Sequence, residues 1–89
     1  MARPTTVTAR QILGLVEKQD YRCAISGRVL TPETASIDHI VPLGRGGEHT
    51  LANLWIVDYQ VNAAKGTMTT EEFVAMCREV AEHTRERVA

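Results

Sequence analysis

The chain has 89 residues, enough for one domain and not for two. A composition of 44% hydrophobic and 24% charged residues excludes intrinsic disorder, which needs low hydrophobicity and high net charge. Ten basic against eleven acidic side chains leave a net charge of −1, so the total does not advertise a polyanion as partner. No glycine period or sustained heptad marks a fibrous or coiled-coil protein.

No apolar run approaches the roughly 18 residues that span a bilayer, and residues 1–6 lack the apolar stretch of a secretory signal. Cys23 and Cys77 fall in different elements without framework spacing, so free thiols in a reducing cytosol are expected.

In chain order, Thr8 and Gln11 read as a capping box, with Val7 and Ile12 as its hydrophobic staple. Ala9, Ile12, Leu13 and Val16 follow the spacing of a buried helical stripe and predict a helix over about 8–19. Residues 21–27 read as a short strand ending in a Gly turn, and 35–41 as a second strand stopped by Pro42. Three glycines within 43–50 make that stretch a loop. Residues 54–57 are a third short apolar run. Asp58 then caps a two-turn helix ending at Lys65, with Gly66 in the C′ position. Thr69 and Glu72 form another capping box, with Met68 and Phe73 as staple, opening a helix over about 70–84. Its face of Phe73, Met76, Cys77 and Val80 is expected in the core. The layout is a small α+β domain spanning 1–89.

Asp38 and His39 interrupt an otherwise apolar strand, and alternation turns one of them inward. A buried Asp or His without a partner is costly, so hydrogen bonds or a metal must satisfy it. Taken alone, the pair reads first as an Asp bonding loop amides beside a satisfied surface His. Asn62 is unfavourable inside a helix, with Lys65 three residues on along the same face. Asn53, just before the third strand, is by itself a turn residue. Together these side chains offer hard oxygen donors for Mg²⁺ or Mn²⁺ and an imidazole able to take a proton from water. That is the equipment for metal-assisted phosphodiester hydrolysis.

Residues 36–47, SIDHIVPLGRGG, followed by Asn53-Leu54-Trp55 and Asn62-Ala63-Ala64-Lys65-Gly66, resemble the HNH endonuclease family over about 21–66. The three name-giving positions are His39, Asn53 and Asn62, an H-N-N variant. The resemblance implies a ββα-metal fold, a short β-hairpin and helix flanked here by the N- and C-terminal helices. It implies His39 as general base, Asp38 and Asn62 as ligands of one divalent cation, and Asn53 as the holder of the loop that orients His39. Lys65 and Arg45 would contact DNA phosphates, and the products would carry a 5′-phosphate and a 3′-hydroxyl. Many family members hold a structural zinc with two Cys-x-x-Cys pairs. The matching positions here are Cys23, Ser26, Asp58 and Val61, so no structural zinc is expected, and Cys23 and Cys77 become small buried hydrophobes. The balanced charge points to weak independent DNA binding, which clustering of Arg22, Arg28, Arg45 and Lys65 would offset, and to a protein that delivers the DNA. Small relatives are often phage-encoded and act beside packaging machinery, which places the expected activity in the cytoplasm of a bacterial or phage-infected cell. The alternatives are a non-catalytic DNA- or protein-binding module on the same scaffold and an RNA-directed nuclease.

Overall fold

The computed structural model describes residues 6–87. Helix α1 (Ala9–Lys18) opens on the expected reciprocal cap, with the Thr8 hydroxyl accepting from Gln11 N–H and the Gln11 side chain from Thr8 N–H. Its inward stripe is Ile12, Leu15 and Val16. Leu13, expected in that stripe, is 53% exposed, because the helix turns its adjacent edge to β2. Ala9 is exposed as well.

The sheet has two antiparallel strands, β1 (Ala35–His39) and β2 (Leu54–Asp58), paired from Ala35 opposite Asp58 to His39 opposite Leu54. The segment 21–27 is not a strand. Only Arg22 and Val29 form an isolated bridge around a tight turn, and the Cys23 N–H bonds the Arg28 carbonyl at 2.7 Å. In place of the expected first strand, the outer edge of β2 meets one backbone donor, the Ala24 N–H on the Ile56 carbonyl at 3.0 Å, and a side chain. Gln19 accepts from Ile56 N–H at 2.9 Å and donates to the Ile56 carbonyl at 2.8 Å, standing in for a neighbouring strand. β1 stops at His39, two residues short of expectation, because beyond it the backbone of Ile40 and Val41 bonds Asn53 instead of a strand.

Helix α2 (Tyr59–Lys65) follows β2 directly, its first turn capped by the Asp58 carboxylate on Gln60 N–H. It ends at Gly66, whose φ of +56° is a conformation that side chains rarely adopt. Helix α3 (Thr70–Thr84) opens on the second expected capping box. Here the expectation of a buried face is corrected. Phe73 is the one buried residue of α3, while Met76 and Val80 are 39% and 55% exposed and Cys77 is exposed. The apolar spacing is present, but past its first turns the helix runs beyond anything it could pack on within the described residues.

The core is Cys23, Leu30, Ile56 and Val57, with Ile12, Leu15, Val16, Ile25, Trp55 and Val61 against it. Positions 23, 26, 58 and 61 gather at this corner. Ser26 N–H lies 3.4 Å from the Cys23 sulfur, Val61 packs on the cluster, and Arg28 pairs with Asp58 at 3.3 Å. Burial pushes the Cys23 thiol up, but hydrogen bonds from Ser26 and from the Asp58 and Ile25 backbone outweigh it, so the net displacement is downward. Cys23 is thus buried as expected, in a hydrogen-bonded setting. Ile12, Leu15 and Val16 of α1 pack against this cluster, and α3 buries Phe73. No helix among the described residues is long and apolar enough to cross a membrane.

Candidate active site

The strand and the helix meet through matched periods. Ser36 and Asp38, two apart on β1, face α2, and Asn62 and Lys65, three apart on α2, face β1. Asn62 donates its amide to Ser36 Oγ at 2.7 Å and to the Ile37 carbonyl at 3.1 Å. Its donors are spent on β1. Among the described residues no hydrogen bond occupies its carbonyl oxygen.

Asp38 is the inward member of the Asp-His pair, 5% exposed. Its cross-strand neighbour Trp55 donates the indole N–H to Oδ2 at 2.6 Å, and Lys65 Nζ lies 3.2 Å from Oδ1. Lys65 also donates to the His39 carbonyl at 3.3 Å. The expectation that Lys65 contacts DNA phosphates is therefore corrected: Lys65 is 1% exposed and its charge is spent on Asp38. A buried ammonium must be paired, and the Asp38 carboxylate is the charge within reach.

His39, at the end of β1, is half-buried and faces the same cleft as Asp38 and Asn62. That cleft, of about 360 Å³, is closed on its other sides by Pro42, Leu43, Gly44, Gly66 and Thr67. The residues expected to act together thus line one depression, although they come from separate stretches of chain.

The loop between the strands carries two short 3₁₀ turns, Leu43–Arg45 and Leu51–Asn53. Asn53 fastens it. Its Oδ1 accepts from Val41 N–H at 2.9 Å, and its Nδ2 donates to the carbonyls of Val41 at 3.0 Å and Glu48 at 2.8 Å. This is the loop-holding position that was expected. Gly47 is needed where the loop folds back, since a Cβ there would sit 1.8 Å from the Val41 carbonyl oxygen. Arg45 is corrected in part: instead of standing free for phosphate it pairs with Glu72 and ties the loop to the start of α3. The Thr69 backbone N–H first, and then Arg45, hold Glu72 below the ordinary glutamate range. Of the basic cluster expected to meet DNA, Lys65 is internal, while Arg28 and Arg45 are each paired with an acid.

Two contributors went unread in the sequence. Trp55 is a polar partner of Asp38 as much as a core residue, which its place opposite the second strand's carboxylate would have suggested. His49 meets His39, with Nδ1 2.9 Å from His39 Nε2. Nothing in its Gly-rich surroundings signalled that.

The donor set fits a hard divalent cation. The free oxygen of Asn62 and the Asp38 carboxylate border one cleft, and Trp55 and Lys65 take two of roughly four lone-pair directions on that carboxylate. No protein-family model matches the chain, and no curated protein matches it.

Proposed function

We propose that the chain is a metal-dependent DNA endonuclease of the HNH, ββα-metal type. The observation that carries this reading is the convergence of Asp38, His39 and Asn62 on one cleft beneath a loop fastened by Asn53. Asp38 and Asn62 would hold one Mg²⁺ or Mn²⁺, which when bound stabilises charge on the phosphate and the leaving oxygen. His39 takes a proton from the attacking water, and the departing 3′-oxygen collects one from solvent, leaving a 5′-phosphate and a 3′-hydroxyl. Asn53 keeps the loop closed so that the imidazole stays at the cleft. Arg45 remains a candidate phosphate contact, since 45% of its side chain is exposed, but only by sharing or leaving Glu72.

With Lys65 buried and Arg28 and Arg45 each paired with an acid, affinity for DNA is expected to be low and little dependent on sequence. A protein that presents the DNA, such as packaging or other DNA-processing machinery, would offset this.

The test is nicking of supercoiled plasmid. Mg²⁺ or Mn²⁺ should support it, and EDTA or His39→Ala should abolish it while the thermal melt stays put. Undiminished cutting by His39→Ala refutes the base assignment. A non-catalytic module on this scaffold is the second reading, favoured by one observation: Asp38 already has a buried cation as partner. Plasmid left intact with every divalent metal would decide for it.

A further inference from the structure

We propose that His49 is a positioning residue that fixes the tautomer of His39 and so decides which ring nitrogen can act as base. The catalytic half of this statement and the choice of His39 as donor rest on the nuclease reading; that one ring donates to the other rests on geometry alone.

His39 Nε2 and His49 Nδ1 are 2.9 Å apart, and the ring centroids are 5.2 Å apart with the planes tilted by 51°. Neither ring stacks on the other, so the approach is nitrogen to nitrogen. A hydrogen bond at this distance holds one proton, with one ring donating and the other accepting. If His49 donated, neutral His39 would carry its own proton on Nδ1, and its one lone pair, on Nε2, would be consumed by the bond. The ring facing the cleft would then have nothing to receive a proton. If His39 donates from Nε2, the lone pair is left on Nδ1, which no other hydrogen bond occupies among the described residues. Only the second arrangement leaves His39 a base.

His49 is suited to accept. It is exposed, so its own Nε2–H meets water at no cost, and its backbone follows Glu48, whose carbonyl is held by Asn53. The clamp that closes the loop therefore also sets His49 against His39. When Nδ1 takes a proton, the Nε2–H bond to His49 becomes charge-assisted and strengthens, so the contact favours the protonated product of the base step over its start.

The variants are His49→Asn, whose Oδ1 can replace the Nδ1 acceptor, and His49→Phe, which keeps a ring and removes it. Imidazole nitrogen NMR of the protein without metal or DNA, at mildly alkaline pH where imidazoles are neutral, should show His39 as the Nε2–H tautomer in the parent and in His49→Asn. His49→Phe should give a mixture. In plasmid nicking, His49→Phe is expected to lower kcat by about 10- to 100-fold with little change in KM, and His49→Asn to recover most of it. A parent spectrum with the proton on His39 Nδ1, or an unchanged Nε2–H tautomer in His49→Phe, overturns the proposal. So does a His49→Phe protein that nicks as fast as the parent. If the parent itself never nicks, the nuclease reading falls and with it the rate effect, while the spectra still decide whether His49 sets the tautomer.

Discussion

Lys65→Met separates a structural lysine from a DNA-contacting one. The substitution keeps the aliphatic stem, which is buried, and deletes the ammonium that lies 3.2 Å from Asp38 Oδ1. Asp38 would remain 5% exposed with Trp55 as its surviving side-chain partner. Stranding one member of a buried pair costs about 3–5 kcal/mol. A domain of this length has a total stability of about 4–13 kcal/mol, so the loss is a large share of it. At roughly 4–8 °C per kcal/mol, the melting temperature should fall by about 12 °C or more. Urea titration followed by fluorescence is the assay. The single tryptophan, Trp55, is hydrogen-bonded to the stranded carboxylate and reports on it directly. The double variant Asp38→Leu/Lys65→Met should regain most of the lost stability, since a buried pair replaced by apolar groups is often neutral. A Lys65→Met protein that unfolds within about 1 kcal/mol of the parent, yet binds DNA more weakly, would refute the reasoning and return the lysine to the phosphate-contacting role.

Asn53→Ala removes three hydrogen bonds to the loop backbone, worth about 1 kcal/mol each. A stability loss of roughly 2–3 kcal/mol in urea titration is expected, together with a fall in nicking at temperatures where the variant is still folded; full activity in a folded variant would show that the loop needs no fastening. Glu72 makes an acid-side prediction. Its value is lowered in the folded chain, so its contribution is in place above the ordinary glutamate value and is lost as pH falls through the lowered one. Thermal melts should therefore weaken below about pH 4.3, and Glu72→Gln should flatten that part of the profile; an unchanged acid slope would remove Glu72 from the account.

Most of the local grammar was legible. Both capping boxes form with the residues that spell them, because a cap is decided within four positions of chain. The same holds for Asp58 and Gly66 at the two ends of α2. What failed needed knowledge of neighbours. Leu13 and Leu15 are both apolar, and a helix of ten residues lets either edge face the core. Met76, Cys77 and Val80 satisfy a helical period yet stay exposed, Cys77 at an open groove beside Ile25 and Val61, since periodicity records which residues share a face and not whether that face is covered. The expected strand at 21–27 reaches β2 through Ala24 alone and shares the Ile56 carbonyl with Gln19, whose side chain mimics backbone, a contact that propensity does not register.

The site divides along the same line, and the division explains why its layout was readable but its charge pairing was not. Asp38, His39, Asn53 and Asn62 are short side chains, so their reach is fixed once strand and helix are fixed, and they stand where motif spacing puts them. Lys65 and Arg45 have long, flexible stems and can satisfy a charge in several directions. Each found an acid within the fold, Asp38 for the lysine and Glu72 for the arginine, and an internal carboxylate holds an ammonium or guanidinium before any phosphate arrives. With the balanced net charge this has a physical consequence: whatever polyanion the cleft meets must compete with those partners or rely on a bound cation.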